Sequence, residues 1–184
     1  MSELHAYALL VLVGFLPSEI WRVLGLVAAR GIVDESELFM WVRAVAIAVL
    51  AGVIAKILRG ELPCYKIYED DKAFAFLDIM PRASGHALVL PKAPARNILD
   101  ASPDDLAHVV KIAQKIAKAS VEVFGADGVT IQQFNESASG QVVFHLHVHV
   151  IPRKIGVALK PPASVKEAPD VLAEQAKQLA AALR

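Results

Sequence analysis

Three histidines at every second position, His145, His147 and His149, constrain this chain more than any other feature of its sequence. In an extended strand successive side chains point to opposite faces, so alternate residues share one face. On a helix, with about 3.6 residues per turn, the same spacing would spread the three rings around the axis. The pattern therefore predicts a β-strand with the imidazoles on one face and the intervening apolar side chains on the other. The intervening residues are Leu146, Val148 and Val150.

Three interpretations fit such a row of imidazoles. Three neutral histidines suit a catalytic zinc ion, but alternate strand residues lie about 7 Å apart, which hinders their convergence on one ion. The row also suits phosphorus chemistry, in which one ring is the nucleophile and its neighbours fix its tautomer and protonation. The third interpretation is three structural histidines on a hydrated sheet face. Strict alternation of three of the chain's 6 histidines disfavours it.

Apolar runs separated by short turns predict further strands before the triad, and such connections are typical of an antiparallel sheet. The predicted strands are residues 65–69, 73–79, 86–90, 129–134 and the triad segment. Ser102 is a favourable helix N-cap and Pro103 a favourable first helical residue, so a helix is predicted from there to Gly125. Residues 171–183 are predicted to form a second, Ala-rich amphipathic helix.

The triad and its surroundings resemble the histidine triad superfamily of nucleotide hydrolases and transferases. The lead-in at residues 135–141, NESASGQ, is similar to the stretch that precedes the triad in that family. Residues 68–79 and 85–92 resemble its N-terminal, nucleotide-binding half. The likeness runs from about residue 56 to about residue 153. It implies an α+β fold: a five-stranded antiparallel sheet with flanking helices. In this chain an apolar helical segment is expected to precede that fold.

The resemblance implies a role for each histidine of the site. His147, the middle member of the triad, would attack the α-phosphorus of a nucleotide and form a covalent nucleotidyl-histidine, which water then hydrolyses. His145 and His149 would donate hydrogen bonds or hold the tautomer of His147. His86 is the fourth histidine that the family's pattern places near the triad. No metal ion is expected at this site.

The same resemblance implies the residues that bind the nucleotide. The carboxylate of Asp78 would accept hydrogen bonds from the ribose hydroxyls, and Ile79 would pack beside the base. Around the phosphate, together with His147 and His149, the expected residues are Asn135, Gly140, Gln141 and Val142. Many relatives carry a hydroxyl residue at the position of Val142, so this chain lacks a side-chain donor to the phosphate or its leaving group.

The function implied is that of a nucleotide hydrolase acting on nucleoside 5′-phosphoramidates or dinucleoside polyphosphates, with a preference for purines. A nucleotidyltransferase using the same intermediate on His147 is the alternative enzyme, and the transferase branch usually has Gln at the position of His149. A non-catalytic nucleotide-binding regulator and a fragment of a membrane transporter are alternatives from other classes. No cofactor is expected to be required, apart from Mg²⁺ bound to polyphosphate substrates.

Composition changes along the chain and predicts three parts: residues 1–55, 56–160 and 161–184. The first part holds two apolar runs, and the second run, residues 38–54, approaches the roughly 20 residues that a membrane span needs. These runs explain much of the chain's high mean hydropathy of +0.47. Through residues 13–22 and 41–45 the first part also resembles the start of the small membrane subunit of branched-chain amino-acid exporters. It is expected either to associate with a membrane or to pack as an apolar helical hairpin against protein.

Charge and cysteine content indicate which partners and compartment to expect. With 19 basic and 19 acidic residues, the formal net charge of 0 argues against nucleic-acid binding. The single cysteine, Cys64, excludes an intramolecular disulfide and fits the cytoplasm, where the protein is expected to be free or tethered to the inner face of the membrane. The structural zinc that some relatives hold on extra cysteines is not expected here. The resemblance also implies a homodimer, with the helix of residues 102–124 covering part of its interface.

Overall fold

The computed structural model describes residues 52–184 together with Trp41 and Val45. Residues 52–184 fall within a single structural unit, Ile47–Arg184. Almost all of the apolar runs predicted in residues 1–55 lie outside the described residues, so their association with a membrane stays a prediction. No helix in the described part of the chain has the length and hydropathy of a membrane span.

Five strands form one antiparallel sheet in the order β1-β2-β3-β5-β4. They are β1 (Lys66–Glu69), β2 (Ala73–Leu77), β3 (Ala87–Pro91), β4 (Gly128–Gln132) and β5 (Val148–Arg153). The first three strands form a meander because short turns connect them. Strand β5 pairs with both β3 and β4, which leaves β4 at an edge of the sheet. The predicted fold is confirmed, and the first four strands agree with prediction to within two residues at each end.

Two helices cover one face of this sheet. Helix α1 (Pro103–Phe124) begins after Ser102, whose hydroxyl accepts a hydrogen bond from the amide of Asp105, and ends at Gly125 with φ of 57°. Helix α2 (Pro169–Ala182) follows the C-terminal spacer. Both helices bury apolar side chains against the sheet in one core. The residues with the least exposure in this core include Val89, Val109, Ile116, Val150 and Leu179.

The opposite face of the sheet has a smaller apolar cluster, formed by Phe74, Phe76 and Leu90. Ile54, Ile57 and Leu58, from the helical residues 52–58, pack against this cluster. The predicted boundary between residues 55 and 56 therefore lies inside a helix that covers the sheet. Residues paired across neighbouring strands lie on the same face of the sheet. The pairs Phe76–Leu88, Leu88–His149 and His149–Gln132 extend this face across the sheet. His149, the last histidine of the triad, therefore lies on the same face as the apolar cluster.

The triad strand begins three residues later than predicted, at Val148, so His145 and His147 lie before it. The pairing of β3 with β5 ends at Val89 and Val148. Two residues further along β3 stands Pro91, which has no amide hydrogen to donate to a ladder. The chain nevertheless keeps its alternation of faces here, since Leu146, Val148 and Val150 are all buried as predicted.

Candidate active site

Three of the four predicted histidines form a row of neighbouring rings. The centroids of His147 and His149 are 5.0 Å apart, and those of His149 and His86 are 5.2 Å apart. His145 points elsewhere, and its Nε2 lies 2.9 Å from the carbonyl oxygen of Pro91 at the end of β3. The structure thus brings His86 into contact with the triad and places His145 against the backbone.

A backbone carbonyl sets the tautomer of His147. Its Nδ1 lies 2.7 Å from the carbonyl oxygen of His145. A carbonyl only accepts, so Nδ1 must carry the proton and donate it. The lone pair of the neutral ring is then at Nε2, the nitrogen not engaged by the backbone. His147 can therefore act as a nucleophile through Nε2.

A chain of hydrogen bonds gives His149 the opposite state. The amide of Arg82 donates to Nδ1 of His86 at 3.3 Å, which places the proton of His86 on Nε2. That nitrogen lies 2.9 Å from Nδ1 of His149 and donates to it. The proton of His149 is therefore on Nε2. The result is two adjacent rings, one with a free lone pair and the other with a free N–H donor.

Burial lowers the pKa of His86 and of all three triad histidines, because loss of hydration disfavours the imidazolium. For His149 burial is followed by repulsion from His147, His86 and Arg82, and its pKa falls to about 3. Asp78 raises the pKa of His86 and His147 but does not offset burial. All four imidazoles are therefore neutral at pH 7, the state that the two tautomers above require.

The residues predicted to bind the ribose and the base, Asp78 and Ile79, are accessible beside this row of rings. Oδ1 of Asp78 accepts a hydrogen bond from the amide of Met80 at 2.9 Å, and Oδ2 lies 3.4 Å from Nδ1 of His86. Because His86 is neutral, this second approach is not an ion pair, and Oδ2 can accept from a ligand hydroxyl. The apolar side chain of Ile79 is 43% exposed. The pair presents an acceptor and an apolar surface side by side.

The predicted phosphate-binding residues belong to the loop between β4 and β5. The carbonyl of the Asn135 side chain accepts from the amide of Ile98 at 3.0 Å, and its Nδ2 has no hydrogen-bond partner within the described residues. Gly140 has φ of 92°, a conformation that favours glycine over residues with a Cβ. Val142 is 64% exposed and offers no polar group. The side chain of Asn135 therefore has an amide group free to donate, whereas the side chain of Val142 has no donor.

Gln141 differs from the other predicted binding residues because its amide is buried and fully occupied. Its Nε2 donates to the carbonyls of Arg96 and Val143, at 2.8 and 3.1 Å. Its Oε1 accepts from the amide of Glu136 at 2.7 Å and from the side chain of Asn97 at 3.0 Å. The two donors and the acceptor of this amide are all used, so its side chain holds the loop together and has no group left for a phosphate.

Sequence reasoning missed two residues that shape the site, Arg82 and Glu136. Arg82 acts through its backbone amide on His86, and its guanidinium lies 3.2 Å from the side-chain oxygen of Gln132, the residue paired with His149. Nothing in the loop sequence around Arg82 signals this role. Glu136 lies within the quoted NESASGQ stretch, so the resemblance marks its position without assigning it a role.

Asp78, His86 and His149 are also the residues that could hold a metal ion in the described part of the chain. Their candidate ligand atoms all lie within 4.8 Å of one another. Two imidazoles and a carboxylate suit a divalent transition metal. This set differs from the three triad histidines that the zinc interpretation of the sequence would use.

The HIT domain family matches residues 59–156, more than half of the chain. The adenylylsulfatase HINT3 of Arabidopsis thaliana is 36% identical over 132 residues, which is 72% of this chain and 67% of that protein. The adenosine 5′-monophosphoramidase hnt1 of Schizosaccharomyces pombe is 36% identical over 104 residues, which is 56% of this chain and 75% of that protein.

A crystal structure shows the same fold. A Hit-like protein involved in cell-cycle regulation from Bartonella henselae is 50% identical, with a TM-score of 0.68 and coverage of 71% of this chain and 94% of that one. The resemblance at residues 56–153 overlaps the family match at residues 59–156 over nearly its whole length. Sequence, fold and the arrangement of the histidines thus agree, and this chain belongs to the HIT (histidine triad) domain family.

Proposed function

We propose that this protein is a nucleotide hydrolase that cleaves nucleoside 5′-phosphoramidates or dinucleoside polyphosphates through a covalent nucleotidyl intermediate on His147. The observation that carries the proposal is the complementary state of two adjacent rings. His147 has a lone pair at Nε2, and His149, 5.0 Å away between centroids, has an N–H at Nε2. Two relatives whose names are adenylylsulfatase and adenosine 5′-monophosphoramidase support an adenylate as the common part of the substrate.

The first step forms a bond between Nε2 of His147 and the α-phosphorus, and breaks the bond from phosphorus to the leaving amine or phosphate. The leaving group departs with the bonding electron pair: a phosphate leaves as the anion, and an amine leaves with a proton taken up from solvent. His147 becomes cationic, and the carbonyl of His145, 2.7 Å from Nδ1, stabilises that charge. Nε2–H of His149 donates to a phosphoryl oxygen or to the leaving group, and Nδ2 of Asn135 supplies a second donor.

In the second step water attacks the same phosphorus and the bond to Nε2 of His147 breaks. The nucleoside monophosphate leaves, and the ring returns to its neutral state with Nδ1 protonated. Splitting one displacement into two lowers the barrier of each. Asp78 binds the ribose and Ile79 packs on the base, a surface that suits a purine. The proton that water loses passes to solvent, which balances the proton taken up by the leaving amine in the first step.

The test is to incubate the full chain with adenosine 5′-phosphoramidate and with diadenosine polyphosphates, and to identify the products. We expect adenosine monophosphate from at least one substrate class. His147→Asn should abolish turnover and leave nucleotide affinity largely intact. The matched control is His108→Asn, which changes a histidine on α1 that contacts Asp70 and lies outside the row of rings. Transfer of the nucleotide to an added acceptor in place of water would favour the transferase alternative.

Metal independence is part of the proposal, because imidazole attacks directly. Turnover of the phosphoramidate should persist in excess chelator. Mg²⁺ bound to a polyphosphate substrate can still assist by neutralising its charge. Loss of stoichiometric zinc together with all activity would instead favour an ion at Asp78, His86 and His149.

We also propose that the protein is a homodimer. Strand β4 lies at the edge of the sheet, and Ile131 on it is 51% exposed. Exposed Val110 and Val121 on α1 add apolar surface. Sedimentation at micromolar concentration should give a dimer that Ile131→Lys weakens, whereas Ile155→Lys, in an exposed loop, should not. A wild-type monomer at that concentration would contradict the proposal.

A further inference from the structure

The segment that carries His147 has no strand ladder to hold it, since β5 begins at Val148. Residues 95–97 hold it instead. The amide of Leu146 donates to the carbonyl of Ala95 at 2.8 Å. The side chain of Gln141 donates to the carbonyl of Arg96 at 2.8 Å. The position of His147 therefore depends on a loop that follows β3.

Glu136 fixes that loop from the other side. Its carboxylate accepts two hydrogen bonds from the guanidinium of Arg96, at 3.0 and 2.6 Å, and one from the side chain of Asn97 at 2.8 Å. Asn97 is 1% exposed and shares its two amide hydrogens between Glu136 and Gln141. The guanidinium of Arg96 also lies 4.4 Å from the centroid of the Phe144 ring. Such two-point contacts between guanidinium and carboxylate fix orientation as well as distance.

The backbone of Glu136 is strained. Its φ of 66° and ψ of 165° fall in a region that is essentially restricted to glycine. A residue with a Cβ persists there only where its surroundings hold it. In this conformation the amide of Glu136 reaches Oε1 of Gln141 at 2.7 Å, and its carbonyl accepts from the amides of Ser139 and Gln141. The strain therefore coincides with the point where the two loops are joined.

We infer that Arg96, Asn97 and Glu136, together called the bracket, are positioning residues that orient His147 and the loop of residues 137–142 for reaction. None of the three is placed to touch the reacting atoms. They act through Gln141, Phe144 and Leu146 on the short segment that ends at His147. The kinetic part of this inference rests on the proposed function, and its structural part does not.

The experiment compares Glu136→Gln with wild type in the full chain. Loss of the carboxylate breaks the two-point contact with Arg96. We expect kcat to fall about tenfold or more with KM within about twofold, because small misplacements of a nucleophile cost rate more than binding. Glu61→Gln is the matched control, since Glu61 pairs with Arg59 on the surface outside the bracket. It should leave both constants unchanged.

Two further variants separate the bracket from simple folding effects. Glu136→Gly suits the positive φ and removes the carboxylate, whereas Glu136→Ala removes the carboxylate and keeps the strain. We expect the glycine variant to melt at a higher temperature than the alanine variant, with kcat equally low in both. Recovery of wild-type kcat in the glycine variant, or a loss confined to KM in all three variants, would overturn the inference.

Nuclear magnetic resonance of the imidazoles gives a readout that needs no turnover. Long-range ¹H–¹⁵N correlations report which ring nitrogen carries the proton, and His147→Asn identifies the signal of His147. Wild type should show His147 protonated at Nδ1, and Glu136→Gln should shift this signal toward a mixture of tautomers. If wild type turns over none of the substrates, the proposed function fails. The positioning role of the bracket is then tested by the His147 signal alone. An unchanged His147 signal in Glu136→Gln would then overturn the bracket.

Discussion

The buried imidazoles of the site stay neutral at a lower pH than free histidine. The pKa of His147 is lowered from the ordinary value of 6.5, chiefly by loss of hydration. Its nucleophilic lone pair therefore persists below that pH. We expect the acid limb of the kcat/KM profile to have its midpoint below pH 6.5. Measurement of kcat/KM from about pH 4.5 to about pH 8 tests this. A midpoint at or above 6.5 would contradict it.

Val142 is a position at which we expect a substitution to raise activity. Its side chain is 64% exposed and offers no hydrogen bond, at a position where the family resemblance implies a hydroxyl residue. One new hydrogen bond to charge in the transition state is worth about 1.5 kcal/mol, so Val142→Ser should raise kcat on the phosphoramidate about tenfold. Val142→Ala, which shortens the side chain without adding a donor, is the control. Equal rates for the two variants would show that the hydroxyl has no effect.

The residues that meet in the site could be predicted from the sequence, but the protonation of each ring could not. Main-chain groups decide it: the carbonyl of His145 for His147, and the amide of Arg82, through His86, for His149. The occupied amide of Gln141 was missed for a related reason. Its partners lie 45 and 44 positions away, at Arg96 and Asn97. Spacing in a sequence carries no information about contacts of that range.

At the scale of elements, Gly85 joins the loop before β3 to both helices. It has φ of 76°, its amide donates to the side chain of Gln175 on α2 at 3.0 Å, and an added Cβ would overlap the ring of Phe124 on α1. Gly85→Ala should lower the free energy of unfolding by about 2–4 kcal/mol, from the positive φ and the overlap together. Thermal and urea unfolding measure the loss.

Gly60→Ala is the control for that prediction. Gly60 has a similar φ of 73° but open space around the position of a Cβ. This variant should lose only the cost of the backbone conformation, about 1 kcal/mol. Equal losses in the two variants would show that the ring of Phe124 moves aside without cost.

The triad segment shows why a correct pattern of faces can accompany a wrong strand boundary. Alternation of apolar and polar residues records which side chains are buried, and Leu146 and Val148 are buried as that pattern requires. It does not record backbone pairing: β3 and β5 pair only as far as Val89 and Val148, although β3 itself continues to Pro91, which has no amide hydrogen to donate. Helix α1, in contrast, was predicted to within a residue because its end signals, Ser102 and Gly125, are local.

For the whole molecule, the sequence predicted the sheet and the helices that cover one face. The predicted division after residue 55 stays a prediction, and it falls within the helical residues 52–58. The sequence becomes less apolar near residue 56, but the helix that packs on the sheet has much the same apolar composition as the runs before it. Ile54 and Ile57 belong with the cluster of Phe74 and Phe76. Composition alone cannot distinguish an apolar helix that packs on a sheet from one that packs elsewhere.

This packing predicts how far the chain can be shortened. Residues 47–184 keep Ile54, Ile57 and Leu58, which cover the apolar cluster beside the proposed nucleotide site, whereas residues 59–184 lack all three. Each of these partly buried side chains stabilises the fold by about 1 kcal/mol. The chain from residue 47 should therefore match the specific activity of the full chain, and the chain from residue 59 should melt several degrees lower and bind nucleotide more weakly.

Unfolding curves and nucleotide titrations of the three chains measure these differences. Equal stability and affinity in the chain from residue 59 would show that the helix is dispensable. A folded but inactive chain from residue 47 would place residues 1–46 in the active site. Fractionation of the same chains tests the membrane prediction, since only the full chain should then sediment with membranes.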